Sequence, residues 1–419
     1  MKKQKIILIT QITPTEDNFN GPSALMYHLL SHRSNDISLH VFTTNSNNVP
    51  AANVDNIAVK MNATVEIFSS MIVSKLLSKQ KVAHVLSRLT GKIEVPTRYT
   101  EKLPNWVLDK IQSIKPDLIW LYPHNCLGFI QQLDGYKMVV TGPDCASLHL
   151  SRALRDSFVF RNNAHVSLSW NELILNYERE LAKKQVVIHL VGQTDVDYFR
   201  CLSGNDNAVF FPHPHYNLAN KVIDLQNKSK IKVVLSGKPD IYTNTDVNEF
   251  LRLLLTSTVK LLKDRFEYTF LGKMWTPYVD KLVGAGYEVK QIGWVDNYIE
   301  SLAEYDVQIF PISVGSGTKG KVLDALSTGL VCIGSDYAFE NIAVKDGESC
   351  CVYKRCSEIL DFLKKIAECP SEYEKMADLG RKQVRLYHNP EMLISNMINY
   401  LESGEYNIDN RVYYYLSLK

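Results

Sequence analysis

The stretch Asp306–Gly334, DVQIFPISVGSGTKGKVLDALSTGLVCIG, decides how the rest of the chain is read. Asp306 to Pro311 alternates as a short buried strand does, Ser313 to Thr318 is a loop of small residues, and Val322, Leu323, Ala325 and Leu326 recur on a helical period within Lys319 to Ser327. Leu330 to Gly334 then reads as a second strand, so the order is strand, glycine-rich loop, helix, strand. Gly315 and Gly317 let the loop backbone approach a ligand closely, and the first N–H groups of the helix add the positive end of its dipole. Such a place binds phosphate. Lys319 and Lys321 bring full charges beside it, and Asp324 lies on the face of Lys321, leaning back toward the helix start. A carboxylate accepts two hydrogen bonds from a vicinal diol, each worth about 1.5–3 kcal/mol. A diphosphate followed by a ribose fits that layout.

Two rival readings share these residues. The glycines also suit a plain tight turn with Asp324 in solvent. Gly315, Gly317 and Gly320 also spell GxGxxG, with Asp336 and Glu340 about twenty residues on, the dinucleotide fingerprint of an NAD-dependent oxidoreductase.

A longer string, GSGTKGKVLDALSTGL, preceded by IGWVDNYIESLAEYDVQIFPIS and followed by FENIAVKDGES, resembles the donor-binding half of the glycosyltransferases of family 4. The likeness runs over roughly residues 230–350 with specific motifs, and more loosely over the rest. It implies an α/β fold of two facing Rossmann-like domains (the GT-B architecture) with an interdomain cleft, and transfer of a sugar from a nucleotide-diphosphate sugar with retention. It also implies a hexosyltransferase-type enzyme of bacterial-type surface polysaccharide or glycoconjugate assembly, acting on a glycan or lipid-linked glycan. The family's E-x7-E run falls on Ser316 and Asp324, so the first glutamate is replaced and the second shortened by one methylene. A non-catalytic nucleotide- or carbohydrate-binding subunit is the alternative that Ser316 raises, and a nucleotide-sugar epimerase is a further one.

At 419 residues the chain suits two domains of about 200 residues each. The expected division is 1–215 as an acceptor-binding domain, 216–230 as a linker and hinge, and 231–389 as the donor domain, with a C-terminal helix over 390–419 crossing back onto the first domain. Hydrophobic content of 45% and charged content of 22% are those of a soluble globular protein. A net charge of +2 argues against nucleic acid as a partner. No apolar run is long enough to span a membrane, and MKKQKIILITQITP, with an apolar part of about five residues, reads as a first strand and not as a signal peptide. Eight scattered cysteines without CxxC spacing suggest reduced thiols in a cytoplasmic protein; Cys350, Cys351 and Cys356 form a weak metal candidate. No metal or other cofactor is expected, because lysines and helix N–H groups neutralise the diphosphate.

Along the chain, Ile6–Thr10, Ser38–Thr43, Pro116–Tyr122, Lys137–Thr141, Val186–Val191 and Ala208–Phe211 read as strands of the first domain. Gly21, Pro22 and Ser23 open a helix to about Ser31 and are acceptor-side candidates, with His124 and Asn125 after the third strand. Asp144 and His149, beyond the next, are candidates for acceptor contact or acid/base help, since ligands of open α/β sheets bind outside the carboxyl ends of strands. Between Val65 and Leu89 apolar positions alternate with lysines and arginines that continue to Lys102; a basic amphipathic segment over 65–102 could make peripheral contact with an inner-leaflet membrane surface, but a solvated helix face explains it better. In the second domain, Ile231–Leu235 leads to Gly237 and Lys238, Tyr268–Gly272 to Gly272 and Lys273, and Val289–Gly293 to Trp294 and Val295. The resemblance gives Lys238 to the diphosphate, where many relatives have arginine, the loop Gly293, Trp294, Val295 to the base, and Glu340 to the donor. It likewise places Gly315, Ser316, Gly317, Thr318, Lys319, Lys321 and Asp324 on the donor, with Lys238 and Lys319 in a catalytic, charge-neutralising role.

Overall fold

The computed structural model describes residues 4–17, 22–69, 101–123, 127–159, 174–216, 219, 221–239 and 243–416. The chain divides into two units, one of residues 1–214 and 390–408, the other of 215–389 and 409–419.

The first unit is built on a parallel sheet of β1 (Gln4–Thr10), β2 (Ile37–Thr43), β3 (Ala63–Ile67), β4 (Leu118–Tyr122), β5 (Met138–Gly142), β6 (Val187–Leu190) and β7 (Ala208–Phe210), in the order β3-β2-β1-β4-β5-β6-β7. Strands such as β1 (QKIILIT) and β4 (LIWLY) are apolar at consecutive positions because helices cover both faces of such a sheet. The helix Pro390–Ser403 returns to this unit: Leu393, Ile394, Met397, Ile398 and Leu401 recur at helical spacing and join Ile6, Leu8, Leu25 and Leu39 in one core. Each such side chain contributes about 1.5–3 kcal/mol on full burial, which is why this helix leaves the segment before it.

The second unit holds β8 (Ile231–Ser236), β9 (Phe266–Leu271), β10 (Glu288–Ile292), β11 (Val307–Phe310), β12 (Val331–Ser335) and β13 (Cys351–Tyr353), all parallel, in the order β10-β9-β8-β11-β12-β13. Ile231, Val233 and Leu235 enter one apolar cluster and Val234 the other, so both faces are buried. In both units the order reverses between the first and fourth strands, and that switch point is where an open α/β sheet receives its ligand.

Four expectations change. Residues 65–67, the start of the basic amphipathic segment 65–102, belong to edge strand β3, paired with β2; most of that segment, 70–100, lies outside the described residues. The supposed linker is fastened to the second unit: Leu225 is fully buried in its core, while the enclosed carboxylate of Asp306 accepts Lys221 Nζ at 3.0 Å, Lys228 Nζ at 2.5 Å and the Lys232 N–H at 3.0 Å. Residues 409–416 do not follow the last helix into the first unit, because Tyr414 forms an antiparallel bridge with Ile342. Ser23 does not cap the helix Ala24–Ser31; its hydroxyl meets Thr15 Oγ1 at 2.5 Å.

Candidate active site

The carboxyl ends of β8, β9 and β10 are knitted by glycine backbone. Gly237 (φ +115°) donates its N–H to Leu271 O at 2.8 Å, and its carbonyl accepts Trp275 Nε1 at 3.0 Å. Gly272 (φ +137°) donates to Ile292 O at 2.7 Å and packs so closely that a Cβ there would stand 1.8 Å from Gly237 O. From across the switch point, the ammonium of Lys321 lies over Gly237, 3.0 Å from where a Cβ would be. The loop after β11 is as tight: a Cβ on Gly315 would meet Lys319 Cε at 2.7 Å, and Lys319 Nζ donates to the carbonyls of Ser316 and Gly317, both at 2.9 Å. The helix Gly320–Thr328 starts here with Lys319 in the N-cap position, its backbone extended and no side chain capping the turn. Gly237, Gly315, Ser316, Gly317, Lys319 and Lys321 therefore converge on one switch point; Thr318 is half-buried in the same loop and Lys238 is exposed beside Gly237.

Asp324, one turn into that helix, is 8% exposed. Burial of the Tyr298 phenol, and to a lesser extent the nearby Asp324 charge, holds that phenol well above its ordinary pKa. Tyr298 Oη lies 2.8 Å from Ser236 Oγ, and Gln308 Nε2 donates to Ser236 Oγ at 2.6 Å and to Tyr298 Oη at 3.2 Å. The sequence reading missed Tyr298 and Gln308; Gln308, the one amide in the apolar run VQIF, was the available signal. Trp294 is 77% exposed after β10, while Val295 packs against the core and Gly293 stands in open space. Glu340 is completely enclosed at the end of the short helix Asp336–Phe339. Cys350 and Cys351 enter different apolar clusters, against their sharing a metal, and no group of three or more metal-type ligands occurs among the described residues.

In the first unit, Asp144 is half-buried in the turn after β5, and His149 sits in the following helix Ala146–Val159. Beside them is a buried cluster absent from the sequence reading. Glu178 accepts the Ser147 N–H at 3.3 Å, Cys145 Sγ at 3.3 Å and the Ser147 hydroxyl, while Asp195 accepts the Cys145 N–H at 2.8 Å. Burial, with a smaller push from Asp144, raises Glu178 to about 7 against three hydrogen bonds that favour its ionised form. In YERELAKK this glutamate reads as part of a solvated face, yet it stands four residues after Ile174 and three before Leu181, on the stripe that packs inward. Pro22 is exposed and Ser23 buried at the start of the first helix; Gly21, His124 and Asn125 lie outside the described residues.

Residues 242–369 match the family described as Glycosyl transferases group 1. With that domain on its second unit and two parallel-sheet units in the GT-B pattern, the chain is a glycosyltransferase. Among solved structures it is similar to HepE of Anabaena in complex with UDP-glucose (12% identity, 95% of this chain and 99% of that one, TM-score 0.62). It is similar also to sucrose-phosphate synthase of Thermosynechococcus elongatus (13% identity, 95% and 98%, TM-score 0.65). WaaG, a glycosyltransferase involved in lipopolysaccharide biosynthesis, aligns at 11% identity over 95% and 100% with a TM-score of 0.56. At these identities the likeness establishes the fold. No curated protein matches by sequence.

Proposed function

We propose that the protein moves a sugar from a nucleotide-diphosphate sugar to an acceptor hydroxyl with retention, in the assembly of a surface polysaccharide or glycoconjugate. The observation that carries this is the closed-in glycine backbone at Gly237, Gly272 and Gly315 with the Lys321 ammonium over it, since a diphosphate needs close backbone approach and fixed positive charge together. In this reading Lys321, Lys319 and Lys238 neutralise the departing diphosphate, and the loop Gly293, Trp294, Val295 receives the base, two strands away. HepE, solved with UDP-glucose, supports the same class of donor. GxGxxG does not favour a dinucleotide, because it follows β11, fourth in its unit's order, whereas the dinucleotide fingerprint follows a unit's first strand. Asp144 and His149 are the acceptor-side residues of this proposal.

The ribose anchor is Asp324, and its replacement is the test. Calorimetry with UDP and GDP should show Asp324→Ala losing at least about 1.5–3 kcal/mol of affinity for whichever nucleotide the wild type prefers, the worth of one hydrogen bond to a charged acceptor. Release of nucleotide from a panel of UDP-, GDP-, CMP- and dTDP-sugars identifies the donor; tighter binding of NAD than of any nucleoside diphosphate would reverse the reading. No helix among the described residues is long and apolar enough to cross a membrane. Peripheral contact through the basic run 65–102 is proposed as a charge-driven one. Flotation with vesicles containing anionic lipid at low salt should recover the protein, and loss of recovery should follow when salt is raised.

A further inference from the structure

The C-terminal strap bears on the glycine-rich loop through one side chain. Tyr414 accepts the N–H of Asn341 at its carbonyl and donates its own N–H to Ile342 O at 2.7 Å, making a two-residue antiparallel bridge. The strap is held on either side of this bridge: Tyr413 is buried and donates its hydroxyl to Tyr387 O at 2.9 Å, and the Tyr414 hydroxyl meets Asp336, which also pairs with Lys354. Next to the bridge, the Ala343 N–H donates to His388 Nε2 at 3.0 Å, and the His388 ring stands edge-on to that of Tyr413 at 5.4 Å. Asn341 itself has φ +66°, a left-handed backbone that asparagine tolerates better than most residues. From that backbone its Nδ2 reaches Gly317 O at 3.2 Å, and the same carbonyl accepts Lys319 Nζ at 2.9 Å.

We propose that Asn341, held in its left-handed conformation by the Tyr413–Tyr414 strap, is a positioning residue that sets the Ser313–Lys319 loop and, with it, the place of the Lys319 ammonium. Gly317 is where the two contacts meet. It is a positive-φ residue in the middle of a loop of small residues, and its carbonyl is fixed from one side by the asparagine amide and from the other by the lysine that starts the helix. Asn341 is completely enclosed and does not present itself to solvent, so it acts through Gly317 and not by touching a ligand. The consequence for nucleotide binding rests on the donor reading above; the consequence for the loop does not.

The test therefore has two readouts on the full chain. Asn341→Gly keeps the left-handed backbone and deletes the amide, Asn341→Asp puts an acceptor opposite the Gly317 carbonyl, and Tyr414→Pro removes the N–H that bonds Ile342 O. Hydrogen exchange of peptides spanning 313–319 in the ligand-free protein should quicken in all three, with melting temperatures recorded alongside and exchange in β1 to β7 unchanged. For UDP and GDP, Asn341→Gly should weaken the nucleotide that the wild type binds by roughly three- to tenfold, the worth of one hydrogen bond, with KM for its sugar rising more than kcat falls. Unchanged exchange at 313–319 in both Asn341 variants would overturn the inference whatever happens to nucleotide. Unchanged exchange in Tyr414→Pro would remove the strap from it. Quickened exchange in a protein that binds neither nucleotide would leave the positioning role standing and count against the donor reading alone.

Discussion

Gly272→Ala is expected to destabilise the second unit by about 2–6 kcal/mol, combining the 1–3 kcal/mol of a disallowed backbone conformation with a similar amount for overpacking. Two independent features point the same way. At φ +137° an L side chain is strained wherever there is room, and here there is none, since its Cβ would fall 1.8 Å from the carbonyl oxygen of Gly237. Backbone, unlike a flexible side chain, has no rotamer into which to retreat. Gly237 is itself pinned, by its N–H to Leu271 O and by Trp275 Nε1 to its carbonyl, so relief requires the ends of β8 and β9 to separate. That separation carries Gly237 away from the Lys321 ammonium, so loss of nucleotide affinity should accompany loss of stability. Urea unfolding followed by tryptophan fluorescence measures the first effect, with Gly284→Ala as the control, because nothing lies within 4 Å of a Cβ at Gly284. A wild-type midpoint for Gly272→Ala would show that the two turns are not packed in this way.

The parts of this fold that the sequence made legible are those where one local pattern and one burial state coincide. Runs such as IILIT, LIWLY and IKVVLS are apolar on both faces because parallel strands are covered on both, and all three became strands. GSGTKGKVLDAL was legible because glycine, lysine and a helical period occur at fixed offsets, and its loop and helix fall where expected. What was not legible depends on partners distant in sequence. ATVEI, an edge strand with half-exposed residues, has neither the composition nor the length to distinguish it from the start of an amphipathic helix, and only its pairing with β2 decides. The 216–230 segment reads as a linker from its polar residues, but Lys221 and Lys228 are polar because they answer Asp306, about eighty residues on. Tyr414 and Ile342 are paired by backbone, which no side-chain pattern announces. For the candidate site, the spacing of glycines and lysines announces the loop and helix start that bring Gly315, Gly317 and Lys319 together, whereas Tyr298 carries no periodic signal and Gln308 shows only as one amide in the apolar run VQIF.

Glu178 is the other place where composition misleads, and its consequence is a pH dependence. A carboxyl whose pKa is about 7 in the folded chain and near 4.5 when exposed binds a proton more tightly when folded. The stabilisation tied to that proton is fully present below about pH 4.5 and is lost as pH rises through 7. At 1.36 kcal/mol for each pH unit between the two values, the loss amounts to about 3 kcal/mol by pH 8.5. Glu178→Gln has no proton to lose. Its carboxamide oxygen can still accept from the Ser147 N–H, so the variant should gain on the wild type by up to about 3 kcal/mol between pH 5 and pH 8.5 while both keep the same fold at pH 5. The sign follows from burial outweighing the Ser147 and Cys145 hydrogen bonds; were those bonds to win, Glu178 would stay ionised, the wild type would strengthen only as pH rises toward 4.5, and the two proteins would run parallel from pH 5 to pH 8.5. Urea unfolding of both proteins across that range separates the two cases, because parallel stability profiles, or a wild type that gains on the variant with rising pH, are incompatible with a carboxyl whose charge is held off by its surroundings.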